Sequence, residues 1–354
     1  MTIGPGHAAI TTVAIGLIGA VLGGCSAPVS GTQDVAASSP APRSTTSATT
    51  TSSPPPTASV TTSAAPDPAD VGANELGLVP VLMYHQLTPN PVSEYDQTPR
   101  EFRAELRRLY REDYRPVTAA QLVSGDIDLP AGTHPVVLTF DDSTASQIRI
   151  GKDGEPKPGT MVGILTEFGE KHSDFNPTGT FYVNADPFAG DERALAWLHD
   201  NGYEIGAHTS THANLGSLDS AGVQRELVSN INGIKDAAPG VTVRTMALPL
   251  GIFPGDRRLV RRGSWNGQSY RFDGVMLVGA EPAPSPFAGL DGGGVPRIRS
   301  GKGRVKFDSA YWLDWLAEHP KQRYTSDGQP DVVSFPKRLS DDVVDVRGAE
   351  ENPY

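Results

Sequence analysis

Two adjacent carboxylates, Asp141 and Asp142, follow directly on the apolar run Val136-Val137-Leu138-Thr139-Phe140. Like charges side by side raise the cost of ionising one another unless a cation separates their roles. Taken alone, a strand ending in an aspartate turn accounts for them, because Asp is a common Asx-turn and N-cap residue. A second cluster, His208-Thr209-Ser210-Thr211-His212, spaces two imidazoles at i and i+4. On a helical turn that spacing puts both rings on one face, where they can share a metal. His208 follows the short strand Tyr203-Glu204-Ile205-Gly206-Ala207 as the aspartates follow theirs. Two histidines and one carboxylate leave coordination positions for water and substrate, and the second carboxylate is then free to take a proton from a metal-bound water. No Glu follows the first histidine, so this is not the metalloprotease pattern.

Two further strand ends carry candidates. In Ala247-Leu248-Pro249-Leu250-Gly251 the N–H of Leu250 is available to a developing oxyanion, and a plain loop turn explains the segment equally well. In Leu82-Met83-Tyr84-His85 a lone histidine ends an apolar strand. Such a histidine is more often structural, but here it emerges at the same end of the sheet as the metal candidates, where it can protonate a leaving group.

The elements that position these groups alternate. A strand over Val79–Tyr84 precedes a helix opened by the capping box Thr98-Pro99-Arg100-Glu101, with Phe102, Leu106 and Leu109 on one face. Thr118-Ala119-Ala120-Gln121 opens a shorter helix, and the strand Val136–Phe140 follows. Residues 143–160 read as a long polar loop beside the carboxylates. Beyond it come a helix over Met161–Phe168, a strand over Gly179–Val183, and a helix over Glu192–Asn201 stopped by Gly202. A helix over about Ser220–Asp236 and strands near Val243–Ala247, Phe272–Leu277 and Val295–Ile298 complete the body. The amphipathic helix Phe307–Glu318 carries Trp312 and Trp315 as a packed face, and after Pro320 an irregular end is expected. Strand–helix alternation predicts parallel βαβ units in an α/β sheet or barrel, and residues 78 onward suit one barrel-sized domain.

The chain has 354 residues with 30 basic and 41 acidic side chains, a formal net charge of -11, which argues against a phosphate-tracking nucleic-acid binder. Residues 1–25 read as a targeting segment: Ala8–Leu22 is apolar or small, short for a membrane span, and ends in Leu22-Gly23-Gly24-Cys25. Cys25 is the only cysteine, so no intrachain disulfide is expected. The stretch resembles a bacterial lipoprotein signal with its lipobox, although His7 is the only basic candidate ahead of the apolar run. The resemblance implies acylation at Cys25 and an extracytoplasmic body tethered to the cell membrane. Residues 26–77, rich in Ser, Thr, Pro and Ala, are expected to form a disordered spacer.

The combination of motifs is similar to one family. Thr139-Phe140-Asp141-Asp142-Ser143 resembles the Thr-Phe-Asp-Asp-Gly motif of the polysaccharide deacetylases, carbohydrate esterases of family 4 with the NodB homology domain. His208–His212 resembles their His-Ser/Thr-x-x-His motif, and Leu82–His85 resembles the branch in which an N-terminal strand supplies the acid histidine. The resemblance covers residues 78–300, with 301–354 as a C-terminal helix and tail. It implies a distorted (β/α) barrel and metal-dependent removal of acetyl groups, N- or O-linked, from glycans. By the same resemblance Asp141 is the general base, Asp142, His208 and His212 bind a divalent metal, usually zinc, and Leu250 lends its amide to the oxyanion. The partner implied is an acetylated polysaccharide, peptidoglycan or an exported glycan, with the membrane as a second partner through Cys25.

The departures are specific. Ser143 stands where the family has Gly, and Ala247-Leu248-Pro249-Leu250 replaces Arg-x-Pro-Tyr, removing the arginine that orients the base. Arg297, in Val295-Pro296-Arg297-Ile298, is the candidate replacement. No late Leu-x-His supplies an acid, His319 reads as surface, and this favours His85. Two other classes stay open: a glycan-binding lipoprotein with impaired catalysis, and a two-histidine-one-carboxylate iron oxygenase. The additional carboxylate fits hydrolysis better.

Overall fold

A computed structural model describes residues 66–301, 303 and 305–354; the signal segment 1–25, Cys25 and the spacer up to residue 65 lie outside the described residues. In chain order, α1 (Pro68–Val71) precedes β1 (Val81–Tyr84), the short parallel pair β2 (Gln86–Leu87) and β3 (Asp96–Gln97), and α2 (Pro99–Arg111). Then come β4 (Tyr114–Val117), α3 (Ala119–Ser124), β5 (His134–Phe140), α4 (Met161–Lys171), β6 (Thr180–Val183), α5 (Arg193–Asp200), β7 (Glu204–Ala207), α6 (Ser220–Ala237) and β8 (Thr245–Ala247). An antiparallel hairpin of β9 (Arg262–Trp265) and β10 (Gln268–Arg271) leads to β11 (Gly274–Met276) and β12 (Ile298–Arg299). The chain ends with α7 (Ser309–Glu318), β13 (Val332–Phe335) and β14 (Glu350–Pro353). No helix among the described residues is long and apolar enough to cross a membrane.

Local signals account for most of these boundaries. Thr98 and Thr118 each accept the backbone N–H of the residue three ahead, whose own side chain returns to the cap N–H. After α5, Gly202 takes φ 78°, the left-handed stop.

The main sheet runs β11-β8-β7-β6-β5-β1-β12, with β4 also on β5, and every pairing in it is parallel. Its two outer strands are brought together by residues 292–299. Val295 exchanges backbone bonds with β11 through Val275 and Leu277, while Ile298 pairs with Leu82 on β1. The expected distorted barrel is thus a curled parallel sheet whose ends meet through one short segment.

Strand residues alternate between two apolar clusters. Leu82, Tyr84, Val136, Leu138, Phe140, Phe181 and Val183 join the cluster covered by helices. Val81, Val137, Tyr182, Ala247, Met276 and Val295 join the one enclosed by the curl. The alternation has period two, so register decides which face each side chain occupies. The inner face is crowded: a Cβ on Gly206 would lie 2.4 Å from the Tyr182 ring, which explains glycine there.

The structure corrects the sequence reading at both flanks. Residues 66–77 belong to the folded body, not to the spacer expected through residue 77. Asp67 caps α1, Ala73 and Leu76 are buried, Asn74 exchanges backbone bonds with Thr325, and Glu75 N–H donates to Ser334 O. The apolar residues there are too isolated to show periodicity, and a distant part of the chain completes them. That distant part is the end expected to be irregular: β13 and β14 pair in parallel, and Tyr324, Val333 and Phe335 pack with Leu76.

Glu75 is buried where these segments meet, accepting from Ser334 N–H at 2.8 Å and Tyr324 O–H at 3.2 Å. Burial, reinforced by the nearby Asp327, raises its pKa from 4.5 to about 8. Between those two values the unfolded chain has lost the proton that the folded chain keeps, so this group makes stability fall as pH rises through the window. Glu75→Gln removes that slope. Urea midpoints of the variant and parent should therefore diverge in the variant's favour as pH climbs from about 4.5 to about 8; parallel pH curves would refute this.

Candidate active site

All the candidates sit at the C-terminal ends of parallel strands, the side of such sheets where crevices form. His85 follows β1, Asp141 follows β5, His208 follows β7 and Leu250 lies three residues beyond β8. Asp141 shares the inner-face alternation of Val137 and Thr139. Its carboxylate is buried against the fully buried Arg297 in a two-pronged pair, Nη1–Oδ1 2.7 Å and Nη2–Oδ2 2.7 Å. Arg297 Nη1 also donates to Thr139 Oγ1 at 3.1 Å and Nε to Leu277 O at 2.7 Å, and its guanidinium lies 5.6 Å from the Tyr182 ring centroid. Burial alone would raise the pKa of Asp141, but the charge of Arg297, with His208 behind it, holds it far below the usual carboxylate range. Arg297, the candidate replacement for the missing motif arginine, is thus the guanidinium partner of Asp141.

Asp142 departs from the alternation because the backbone turns left-handed there, φ 72°. Its Oδ1 lies 3.3 Å from Nε2 of both His208 and His212, and that oxygen is buried without a hydrogen-bond partner. Burial pushes its pKa up, but His208 and His85 more than offset this and the net shift is downward. His208 is buried; its Nδ1–H donates to Ala247 O at 2.9 Å, which leaves the Nε2 lone pair on the side of Asp142. His212 is half-buried, its ring 4.9 Å from that of His208, and burial followed by the His208 charge lowers its pKa.

The helical turn expected for the histidine pair is absent. Thr209 and His212 have φ 62° and 55°, so a left-handed loop brings the rings together. Asn184 Nδ2 donates to the carbonyls of His208 (2.6 Å) and Thr209 (3.0 Å), and Glu226 holds Thr211 through its N–H and hydroxyl. Asn230 accepts the His208 N–H at 3.1 Å. The sequence reading missed Asn184 and Asn230. Asn184 directly follows β6, the positional signal that marked the other residues, whereas nothing distinguishes Asn230 inside α6.

Ser143, where the resemblance leads one to expect glycine, has φ 46°, and Leu250 has φ 60° with its side chain 58% exposed. Asp142, Ser143, Thr209, His212 and Leu250 are five non-glycine residues in a region L-residues seldom adopt, gathered at one site. His85 packs on Tyr95, centroids 4.7 Å apart, and its Nδ1 is buried without a partner. Burial lowers its pKa against the opposing pull of Asp141 and Asp142. The Arg299 guanidinium lies 5.5 Å from the Tyr95 ring centroid, and Arg299, Val92, Glu94 and Asp96 line a cavity of about 370 Å³. The 143–160 loop is packed, not open: Gln147, Ile148 and Ile150 are buried, and Arg193 ties Ile150 and Gly151 by their carbonyls. His319 stacks on Trp315 and donates to that residue's carbonyl at the end of α7.

Removing Arg297 strands a buried carboxylate. Arg297→Met should cost about 3–5 kcal/mol at neutral pH by urea unfolding. The penalty should shrink as pH falls, because Asp141, released from the cation, then takes up a proton that removes the buried charge. A pH-independent loss would argue against this account.

The geometry agrees with comparisons to known proteins. Residues 129–262 match the model of the polysaccharide deacetylase family, a span that holds both aspartates, both histidines and Leu250 but neither His85 nor Arg297. A chitooligosaccharide deacetylase of Bradyrhizobium sp. is 26% identical over 144 residues, covering 41% of this chain and 57% of that protein; the chain thus spans little more than half the length of this curated relative. Among solved structures, a polysaccharide deacetylase of Bacillus cereus aligns at TM-score 0.50 and 18% identity, covering 65% of this chain and 66% of the other. A Streptococcus pyogenes deacetylase solved with acetate aligns at TM-score 0.50 and 17% identity, covering 67% and 97%. These two likenesses establish the fold. Family match and curated relative point the same way: residues 129–262, which carry the paired aspartates and both histidines, are similar to the polysaccharide deacetylases.

Proposed function

We propose that the protein is a metal-dependent hydrolase that removes acetyl groups, N-acetyl in first place, from a cell-envelope or exported polysaccharide. The observation that carries this reading is one juxtaposition: Asp142, His208 and His212 converge with ligand atoms within 4.8 Å of one another, beside a second carboxylate that is separately committed to Arg297. The donor set suits a divalent ion of the zinc type. An orphaned buried carboxylate oxygen faces two imidazole nitrogens, one of them fixed as a lone pair by the bond its ring makes to Ala247. An ion held there supplies Lewis acidity toward the acetyl carbonyl and an acidified water.

The remaining steps fall to the chain's own residues. Asp141 receives the water proton, and Arg297 keeps its carboxylate ionised and pointed. The Leu250 amide donates to the oxyanion, and His85 protonates the departing amine or alkoxide. An acyl transfer to water needs the second carboxylate that an iron oxygenase site does not, which favours hydrolysis. Acylation at Cys25 would hold the domain outside the cell membrane on its Ser/Thr/Pro-rich spacer, close to peptidoglycan and other envelope glycans.

Acetate release from acetylated chitooligosaccharides, peptidoglycan and exported glycans tests the reading, together with metal analysis. Asp142→Ala should lose both bound metal and turnover. Asp141→Asn should keep the metal and lose about 10²–10⁴-fold in kcat. Full acetate release by either variant, or by chelator-stripped protein, would contradict it.

A further inference from the structure

We propose that Gln147 is a positioning residue that sets the reach between the proton-donating histidine and the base, an inference that rests on the function proposed above. Gln147 is wholly buried in the 143–160 loop. Its Nε2 donates to two main-chain carbonyls, that of His85 at 2.6 Å and that of Asp141 at 2.5 Å. A primary amide has two N–H bonds, and both are spent on the two catalytic positions. The orientation is unambiguous, since the reversed amide would set its oxygen against two carbonyl oxygens. Its own Oε1 is buried without a partner. An unmet buried acceptor is costly, and keeping it places the requirement at the donor end.

The clamp stands where the sheet stops doing this work. β1 and β5 pair as far as Tyr84 and Phe140, and the last rung is Asp141 N–H to Tyr84 O at 2.9 Å. Past that rung Gln147 spans the two diverging strand ends. Thr144 Oγ1 adds a longer bond to the same His85 carbonyl, 3.2 Å, and Ser146 Oγ accepts from Leu87 N–H at 2.9 Å. The two clamped residues do not depend on it equally. The Asp141 carboxylate has Arg297, whereas His85 Nδ1 is buried without a hydrogen bond and its ring packs on Tyr95. The position of His85 is therefore set through its main chain, and losing the amide falls on the acid more than on the base.

Proton donation matters for an amine leaving group and little for a nitrophenolate, so two substrates separate the roles. Gln147→Met, nearly the same shape without the donors, should lose about 10- to 100-fold in kcat on an N-acetylglucosamine oligomer with KM unchanged. On p-nitrophenyl acetate its loss, like that of His85→Ala, should be at least about fivefold smaller than on the oligomer. The double variant should be no slower on the oligomer than His85→Ala alone, because both act through one proton transfer. Thr144→Val, a milder change that preserves the buried amide, should show the same substrate selectivity at smaller amplitude, and it decides the matter if Gln147→Met does not fold. Equal losses on both substrates, or additive losses in the double variant, overturn the positioning role while leaving His85 as the acid. If His85→Ala is itself unselective, the acid assignment fails and the role of Gln147 falls with it.

Discussion

The buried ion pair between Asp141 and Arg297 is the constraint around which the domain is arranged. Moving two charges from water into a protein interior costs several kcal/mol per ion, and only paired, fully hydrogen-bonded geometry offsets that. Both prongs of the guanidinium meet the carboxylate, and its remaining donors reach Thr139 and Leu277. Each of these partners lies on or directly after a strand of the curled sheet. Arg297 itself lies between Val295, which bonds to β11, and Ile298, which pairs with β1. The residue paired with Asp141 is therefore part of the segment that joins the two edges of the sheet.

Strand register then divides the labour of the paired aspartates. Asp141 continues the inward alternation of β5 and meets Arg297. Asp142, one residue on, would point into the helix-covered cluster with Phe140. The left-handed turn at Asp142 and Ser143 swings it to the histidines instead. Backbone strain at Thr209, His212 and Leu250 serves the same end from neighbouring loops. Like-charge repulsion between adjacent carboxylates is relieved because one faces a guanidinium and the other two imidazoles.

Much of this was legible in the residues. Strand ends carrying Asp141, Asp142, His85 and His208 follow from apolar runs that stop at a polar group, and capping boxes at Thr98 and Thr118 mark helix starts by direct chemistry. What escaped depends on contacts distant in sequence. Residues 66–77 look like spacer because Ala73, Glu75 and Leu76 acquire meaning only against Tyr324, Ser334 and Phe335. The turn at His208–His212 was read as helical because i, i+4 spacing is shared by a helix and by a loop with two left-handed residues. Arg297 could be nominated from the missing motif arginine, but its pairing needs a sheet that curls far enough to bring residues 156 apart into contact.

That separation gives the site an order of assembly. The three metal-binding candidates all lie by residue 212, and Asn184, Glu226, Asn230 and Ala247, which hold their loop and rings, all lie by residue 247. The partner of Asp141, the proposed base, is Arg297, about fifty residues beyond Ala247, in a segment whose docking also seals the sheet. Contacts this distant form late, after the loop-closure cost of the whole intervening chain has been met. On the proposed reading, a chain folded only as far as β8 would have its metal-ligand loop in place yet lack an oriented proton acceptor, and hydrolytic competence would arrive together with the finished sheet.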